Sequence, residues 1–205
     1  MFEQVALPGF DDAPPGPPPS VKVSPKFPPG RLPYTLFFSI FPEADVANAI
    51  AIEAAHWRRK HGLVGKPLPA HRLHVTLHDL GGHVQLPQGL VDVARQAGDA
   101  VSARVFDVVF DRAMSFPSSG TYVLCGGEGT ARLAAFRQSL GLAIGNVGLP
   151  VRRSFTPHMT VLYDRQPVAE HTIEPIHWTV KEFVLINSHV GQGVHEVLGR
   201  WPLHA

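Results

Sequence analysis

Two five-residue segments, Leu73-His74-Val75-Thr76-Leu77 and Pro157-His158-Met159-Thr160-Val161, share the pattern His-x-Thr among apolar neighbours and stand 84 positions apart. Successive side chains of a β-strand point to opposite faces, so residues two apart share one face. On a strand, Leu73, Val75 and Leu77 therefore enter a core while His74 and Thr76 emerge together. Met159 and Val161 go in as His158 and Thr160 come out. A separation of 84 is far too long for a solenoid repeat. Each segment also follows a strand-helix unit, as a duplicated lobe requires. If the two strands sit side by side or face across a groove, two imidazoles and two hydroxyls converge.

The rest of the pattern supplies those lobes. The β-rich apolar run from Tyr34 to Phe41 predicts a buried strand. Pro42 and Glu43 open a helix with Val46, Ile50 and Trp57 on one face, and Gly62 is placed to end it. A second strand is expected over Arg72 to Leu80, and a second helix on Leu90, Val93, Ala97 and Val101. Strands follow at Arg104 to Phe116 and at Thr121 to Gly126. A third helix carries Leu133, Phe136, Leu140, Ile144 and Val147, a stripe that reads as core packing. Ser154 to Tyr163 is the next strand. Lys181 to Val190 and Val194 to Trp201 form a closing pair around Gly191-Gln192-Gly193. Strands and helices alternate with hairpins between them, which predicts an α+β class with mixed or antiparallel sheets.

Residues 1–33 stand apart. They hold an unusual share of the chain's 20 prolines, without a sustained apolar period. Proline fixes φ and removes amide donors, so a disordered, extended tail is expected there, leaving 34–205 as a single domain. The lone Cys125 excludes an internal disulfide framework and fits a reducing compartment. No apolar run approaches the roughly 20 residues of a membrane span, and the N-terminus lacks the basic and apolar regions of a secretory signal. A cytoplasmic monomer is expected. A net charge of only +1 argues against broad coating of nucleic acid, but leaves room for a pocket that takes one phosphate.

Two imidazoles suit phosphodiester chemistry. With an ordinary pKa of about 6.5, one histidine can take a proton from an attacking oxygen while a protonated one donates to the leaving oxygen. The threonine hydroxyls can bond non-bridging phosphate oxygens. No metal or other cofactor is required by this scheme. With 12 histidines in the chain a single His-x-Thr means little; two copies on strands of matched patterning mean more. His78-Asp79 after the first motif has no second cluster to complete a zinc site. Gly126-Gly127-Glu128-Gly129 lacks a P-loop lysine and hydroxyl in register, so a strand-to-helix turn is expected. Arg58-Arg59-Lys60 at a helix end complements the helix dipole. Arg152, ahead of the second motif, can set a guanidinium near a phosphate, and Tyr163 can stack on a base.

From Tyr34 to Leu203 the chain resembles the two-histidine phosphoesterase superfamily, and within it the group of 2′-5′ RNA ligases or RNA 2′,3′-cyclic phosphodiesterases. The resemblance rests on YTLFFSIFP and its helix, RLHVTLHDLG, FTPHMTVLYDR and the ending VKEFVLINSHVGQGVHEVLGRWPL. It implies a bilobal, pseudo-twofold fold with an active-site groove between the lobes. It implies hydrolysis of RNA 2′,3′-cyclic phosphate ends to 2′-phosphates, with 2′-5′ ligation as a related activity. His74, Thr76, His158 and Thr160 become the catalytic tetrad, with His158 as base and His74 as acid. The family's second motif runs quickly into an arginine; here Tyr163 and Asp164 precede Arg165, the arginine assigned to the phosphate. Other expected substrates are small cyclic nucleotides, 2′-5′ oligonucleotides or ADP-ribose 1″,2″-cyclic phosphate. A module that binds RNA ends without turning them over is a third reading.

Overall fold

A computed structural model describes residues 32–205 except 117 and 153. The expectation for the proline-rich tail therefore lies outside the described residues. The chain runs β1 (Tyr34–Ile40), α1 (Ala44–Lys60), β2 (Val75–His83), α2 (Gln88–Asp99), β3 (Phe106–Phe116), β4 (Thr121–Cys125), α3 (Ala131–Asn146), β5 (His158–Tyr163), β6 (His171–Val180), β7 (Glu182–His189) and β8 (Val194–Pro202). The strands form two four-stranded antiparallel sheets, ordered β2-β1-β7-β8 and β5-β4-β3-β6.

The orders display the pseudo-symmetry. In each lobe a strand, a long helix and a motif strand follow in sequence: β1-α1-β2 and β4-α3-β5. Both motif strands are the first edge of their sheets, and the central partner, β1 or β4, is buried on both faces. Leu36, Phe38 and Ile40 of β1 join the main core. Phe37 turns the other way and meets Val184 and Ile186 in a small second cluster. A strand covered on both sides reads as a continuous apolar run, which is why YTLFFSI shows no alternation.

The helices pack as their periodicity directs, with one correction. On α1, Ala47, Ile50, Ala54 and Trp57 are buried, and Gly62, at φ +65°, ends the helix. On α3, Leu133, Phe136, Leu140 and Ile144 are buried. On α2 the buried face is Val91, Ala94, Ala97 and Gly98, turned from the expected one because Trp201 of β8 lies against Gly98. A Cβ there would come within 2.3 Å of the indole.

Two strands begin three or more residues later than expected. Arg72 sits in a short 3-10 turn, Ala70–Arg72, and β2 opens at Val75; β5 opens at His158, not Ser154. The β6 strand was not anticipated. It carries Pro175 and has only Trp178 and Val180 buried. An edge strand of this kind tolerates proline and carries a weak period. The glycines at 126 and 129 serve close packing: a Cβ on Gly126 would lie 2.5 Å from the Val109 carbonyl oxygen, and one on Gly129 2.6 Å from Val109 Cβ.

Candidate active site

The alternation that places the motifs holds where it matters. Leu73, Val75, Met159 and Val161 are fully buried and Leu77 nearly so, while His74, Thr76, His158 and Thr160 are partly exposed. Each motif strand then breaks register one residue after its threonine. Ser39 pairs with Thr76 but Phe38 with His78; Val123 pairs with Thr160 but Tyr122 with Leu162. A bulge of this kind re-aims the side chains beyond it. It takes His78 off the face that His74 and Thr76 share: His78 is buried, and its Nε2 lies 2.9 Å from the Arg137 carbonyl oxygen of α3.

The lobes are stitched along the motif strands. The Leu68 amide donates to the Val161 carbonyl at 2.8 Å, and Pro67 bridges to Leu162. The Asp164 carboxylate accepts the amides of Val64 and Gly65 at 2.7 and 2.8 Å. Backbone amides hold its pKa below the usual carboxylate value, that of Gln166 foremost. The segment before β2 therefore lies along β5. Gly65 is required there, because a Cβ would fall 1.9 Å from the Tyr163 carbonyl oxygen.

The two catalytic candidates are clamped alike. His74 Nδ1 lies 2.7 Å from the Arg72 carbonyl oxygen, and His158 Nδ1 lies 2.7 Å from that of Thr156. When Nδ1–H donates to a carbonyl, Nε2 is left as the atom that gains or releases a proton. Phe116 packs edge-on against His158 at 5.0 Å, and Phe37 stacks on His74 at 5.2 Å. Burial lowers the His74 pKa below 6.5; the carbonyl contact opposes this, and the charges of Arg72 and His158 add to it. The His158 charge is thus felt at His74, across the lobes.

A cleft of about 310 Å³ joins Thr76 and Asp79 of one lobe to His158, Phe116, Arg137 and Arg152 of the other. Arg152 is 3.5 Å from the Asp79 carboxylate and mostly exposed. Tyr163 and Arg165 instead line a separate depression with Ser119, Gly120 and Asp164. The bulge at Val161 and the clamp on Asp164 carry that end of β5 away from the cleft. Arg153 lies outside the described residues. Among the described residues no group of three or more His, Cys, Asp or Glu is gathered as a metal site.

Three residues of the site carry no motif. His195 of β8 packs edge-on against His74 at 5.1 Å, with Phe37 and Phe41 around it. Its pKa is lowered to about 4, by burial first and then by the charges of His74, Arg72 and His71. Arg72 and Arg137 are the others. Their places depend on contacts between distant segments, which no local pattern declares.

His74 and His195, their pKa values both lowered, set an acid limit on the fold. As pH falls, the unfolded chain binds protons near 6.5, while the folded chain resists until far lower. The stability held by the neutral rings is present above pH 6.5 and is lost as pH falls below it, for His195 toward about 4. For His195, after discounting for its partial exposure, about 2 kcal/mol is expected to go across that window. Urea midpoints at pH 7, 5.5 and 4.5 measure it, and His195→Phe should flatten the slope. An unchanged slope in that variant would remove His195 from the account.

Two lobes of this build, each carrying one His-x-Thr on an edge strand and together enclosing a cleft that Thr76 and His158 line, are the architecture of two-histidine phosphoesterases. The chain belongs to the 2′-5′ RNA ligase superfamily, whose family model matches residues 42–192. E. coli LigT in complex with NADP+ superposes with a TM-score of 0.65 at 29% identity, over 85% of this chain and 99% of that one. LigT with 3′-AMP gives 0.65 at 28% identity, over 84% and 99%. TT0787 of Thermus thermophilus shares the fold at 24% identity, with a TM-score of 0.64 over 82% and 97%. No curated protein matches in sequence. No helix among the described residues is long and apolar enough to cross a membrane.

Proposed function

We propose that the protein hydrolyses RNA 2′,3′-cyclic phosphate ends to 2′-phosphates by acid-base catalysis between His74 and His158, with 2′-5′ ligation as a related activity. The observation that carries this reading is the matched pair of Nδ1-to-carbonyl clamps on two His-x-Thr motifs at neighbouring sheet edges. His158 Nε2 takes a proton from water as the water oxygen bonds to phosphorus. The bond from phosphorus to O3′ breaks, and His74 Nε2 donates its proton to O3′. The Thr76 and Thr160 hydroxyls donate to the non-bridging oxygens as charge gathers there.

The electrostatics act on the two histidines as a pair. A proton on one imidazole repels a proton on the other, which favours the singly protonated pair that hydrolysis uses. Its lowered pKa makes a protonated His74 the sharper acid, and the substrate anion helps to load that proton. Arg152 is placed to exchange Asp79 for a phosphate oxygen. Tyr163 and Arg165 would meet only a substrate that extends along β5. The protein is read as a cytoplasmic monomer whose reaction needs no metal or cofactor.

A second reading, a phosphodiesterase of small nucleotides, is favoured by the LigT complexes with NADP+, 3′-AMP and ATP. One experiment addresses both. An oligonucleotide ending in a 2′,3′-cyclic phosphate, a cyclic mononucleotide and a 2′-5′ dinucleotide are incubated with the protein in EDTA. A 2′-phosphate product from the oligonucleotide, with EDTA present, is the expected result. Turnover of the mononucleotide alone would favour the second reading. Activity abolished by EDTA and restored by a divalent cation would defeat the scheme.

A further inference from the structure

Among the described residues, Arg72 is a cation without an anion. Its Nε is buried and has no hydrogen-bond partner. Other arginines among those residues also lack an ion pair, but Arg58, Arg59, Arg104, Arg132 and Arg165 are exposed to water and Arg137 donates to two carbonyls, whereas Arg72 is half-buried. Glu196 of the β7–β8 hairpin is engaged by Asn187 and His189. Leaving a guanidinium unpaired and partly desolvated is costly, and natural sites that do so commonly await an anionic ligand.

Its surroundings point the same way. The Arg72 carbonyl holds His74, so the side chain is anchored two residues from a catalytic ring. The guanidinium reaches the β7–β8 turn, where Nη1 would lie 3.9 Å from a Cβ on Gly193. His195 packs on His74 beside it. The charges of Arg72 and His71 both act on His195. The Arg72 guanidinium, with the rings of His71 and His195, thus flanks His74 on the side formed by β8 and the Ala70–Arg72 turn, apart from the Arg152 cleft.

We propose that Arg72, with His71 and His195, forms a second anion subsite that takes a phosphate on the 5′ side of the nucleotide whose cyclic phosphate is cleaved. The proposal rests on the phosphodiesterase reading above. A guanidinium suits a phosphate through charge-assisted, paired hydrogen bonds. The phosphate has two chemical sources: the 5′ phosphate of a free nucleotide, or the phosphodiester that links the terminal nucleotide to the rest of an RNA.

The test compares kcat/KM for adenosine 2′,3′-cyclic phosphate, its 5′-phosphorylated form, and a dinucleotide ending in the same cyclic phosphate. At least one phosphate-bearing substrate should be preferred by about tenfold or more in the native protein. Arg72→Gln should bring that ratio close to one. The ratio is unaffected by damage common to all substrates. Preference for the phosphorylated mononucleotide alone assigns the subsite to small nucleotides; preference for the dinucleotide alone assigns it to RNA. No preference in the native protein, or equal losses on all three substrates in Arg72→Gln, overturns the subsite and leaves the phosphodiesterase reading standing. If nothing is hydrolysed, that reading fails, and calorimetric titration with 5′-AMP and with adenosine still decides the subsite. AMP should bind at least about tenfold more tightly than adenosine, and Arg72→Gln should remove the difference; equal binding in the native protein overturns the proposal.

Discussion

Replacing His158 by Ala should lower kcat/KM on a cyclic phosphate end by about 10³-fold or more, with little change in thermal stability. General acid-base catalysis by one positioned side chain contributes roughly 10²–10⁴-fold, and here the partner histidine cannot take on both roles. Stability should hold because His158 is partly exposed and its one hydrogen bond, to the Thr156 carbonyl, can pass to water. His74→Asn should lose a similar factor. It is the more informative of the two because it is less open, stacked on Phe37 and set against His195. The double variant should be hardly slower than either single one, since groups that act as a unit are strongly non-additive. Steady-state kinetics with melting curves on the same preparations measure all three. Retention of more than about a tenth of the native rate in either single variant would overturn the two-histidine mechanism.

Arg137→Leu should cost about 2–4 kcal/mol of stability and lower activity as well. Arg137 is 9% exposed. Its Nε donates to the Leu77 carbonyl at 3.0 Å and Nη2 to that of Arg152 at 2.5 Å. The guanidinium carbon lies 4.5 Å over the Phe155 ring. One side chain of α3 thereby ties the bulge after Thr76 in one lobe to the approach to His158 in the other. Leucine leaves two carbonyls without their donor and releases the bulge. The loss should appear in kcat more than in KM, because positioning is disturbed before binding is. Arg137→Lys keeps the charge but not the planar fork, and should fall between leucine and the native protein. Chemical denaturation gives the stability term. A leucine variant as stable as the native chain would show that the tie is dispensable.

Much of the molecule was legible along the chain. The helix stripes of α1 and α3, the glycine turn of the final hairpin and the His-x-Thr alternation are local periodicities, and periodicity reports which face of an element is covered. The β6 strand escaped because an edge strand with Pro175 has little apolar face to declare. The bulges escaped because a register shift is a property of two strands. His195 escaped for the same reason: its environment is Phe37, Phe41 and His74, contributed by other segments. Its displacement of proton affinity to about 4 comes from burial that the assembled lobes create.

Residue type and a period of two were enough to dictate that two histidines and two threonines emerge from strand faces in a duplicated α+β fold. It took the assembled lobes to lay both motif strands against one another as sheet edges and to turn His78 toward α3. The same assembly puts Arg152 in the cleft and keeps Tyr163 and Arg165 out of it. Those outcomes depend on which edges meet and where a ladder slips, and on contacts such as Arg137 to Leu77, 60 residues apart. No local pattern encodes energies of that kind, since they exist only once both partners are in place.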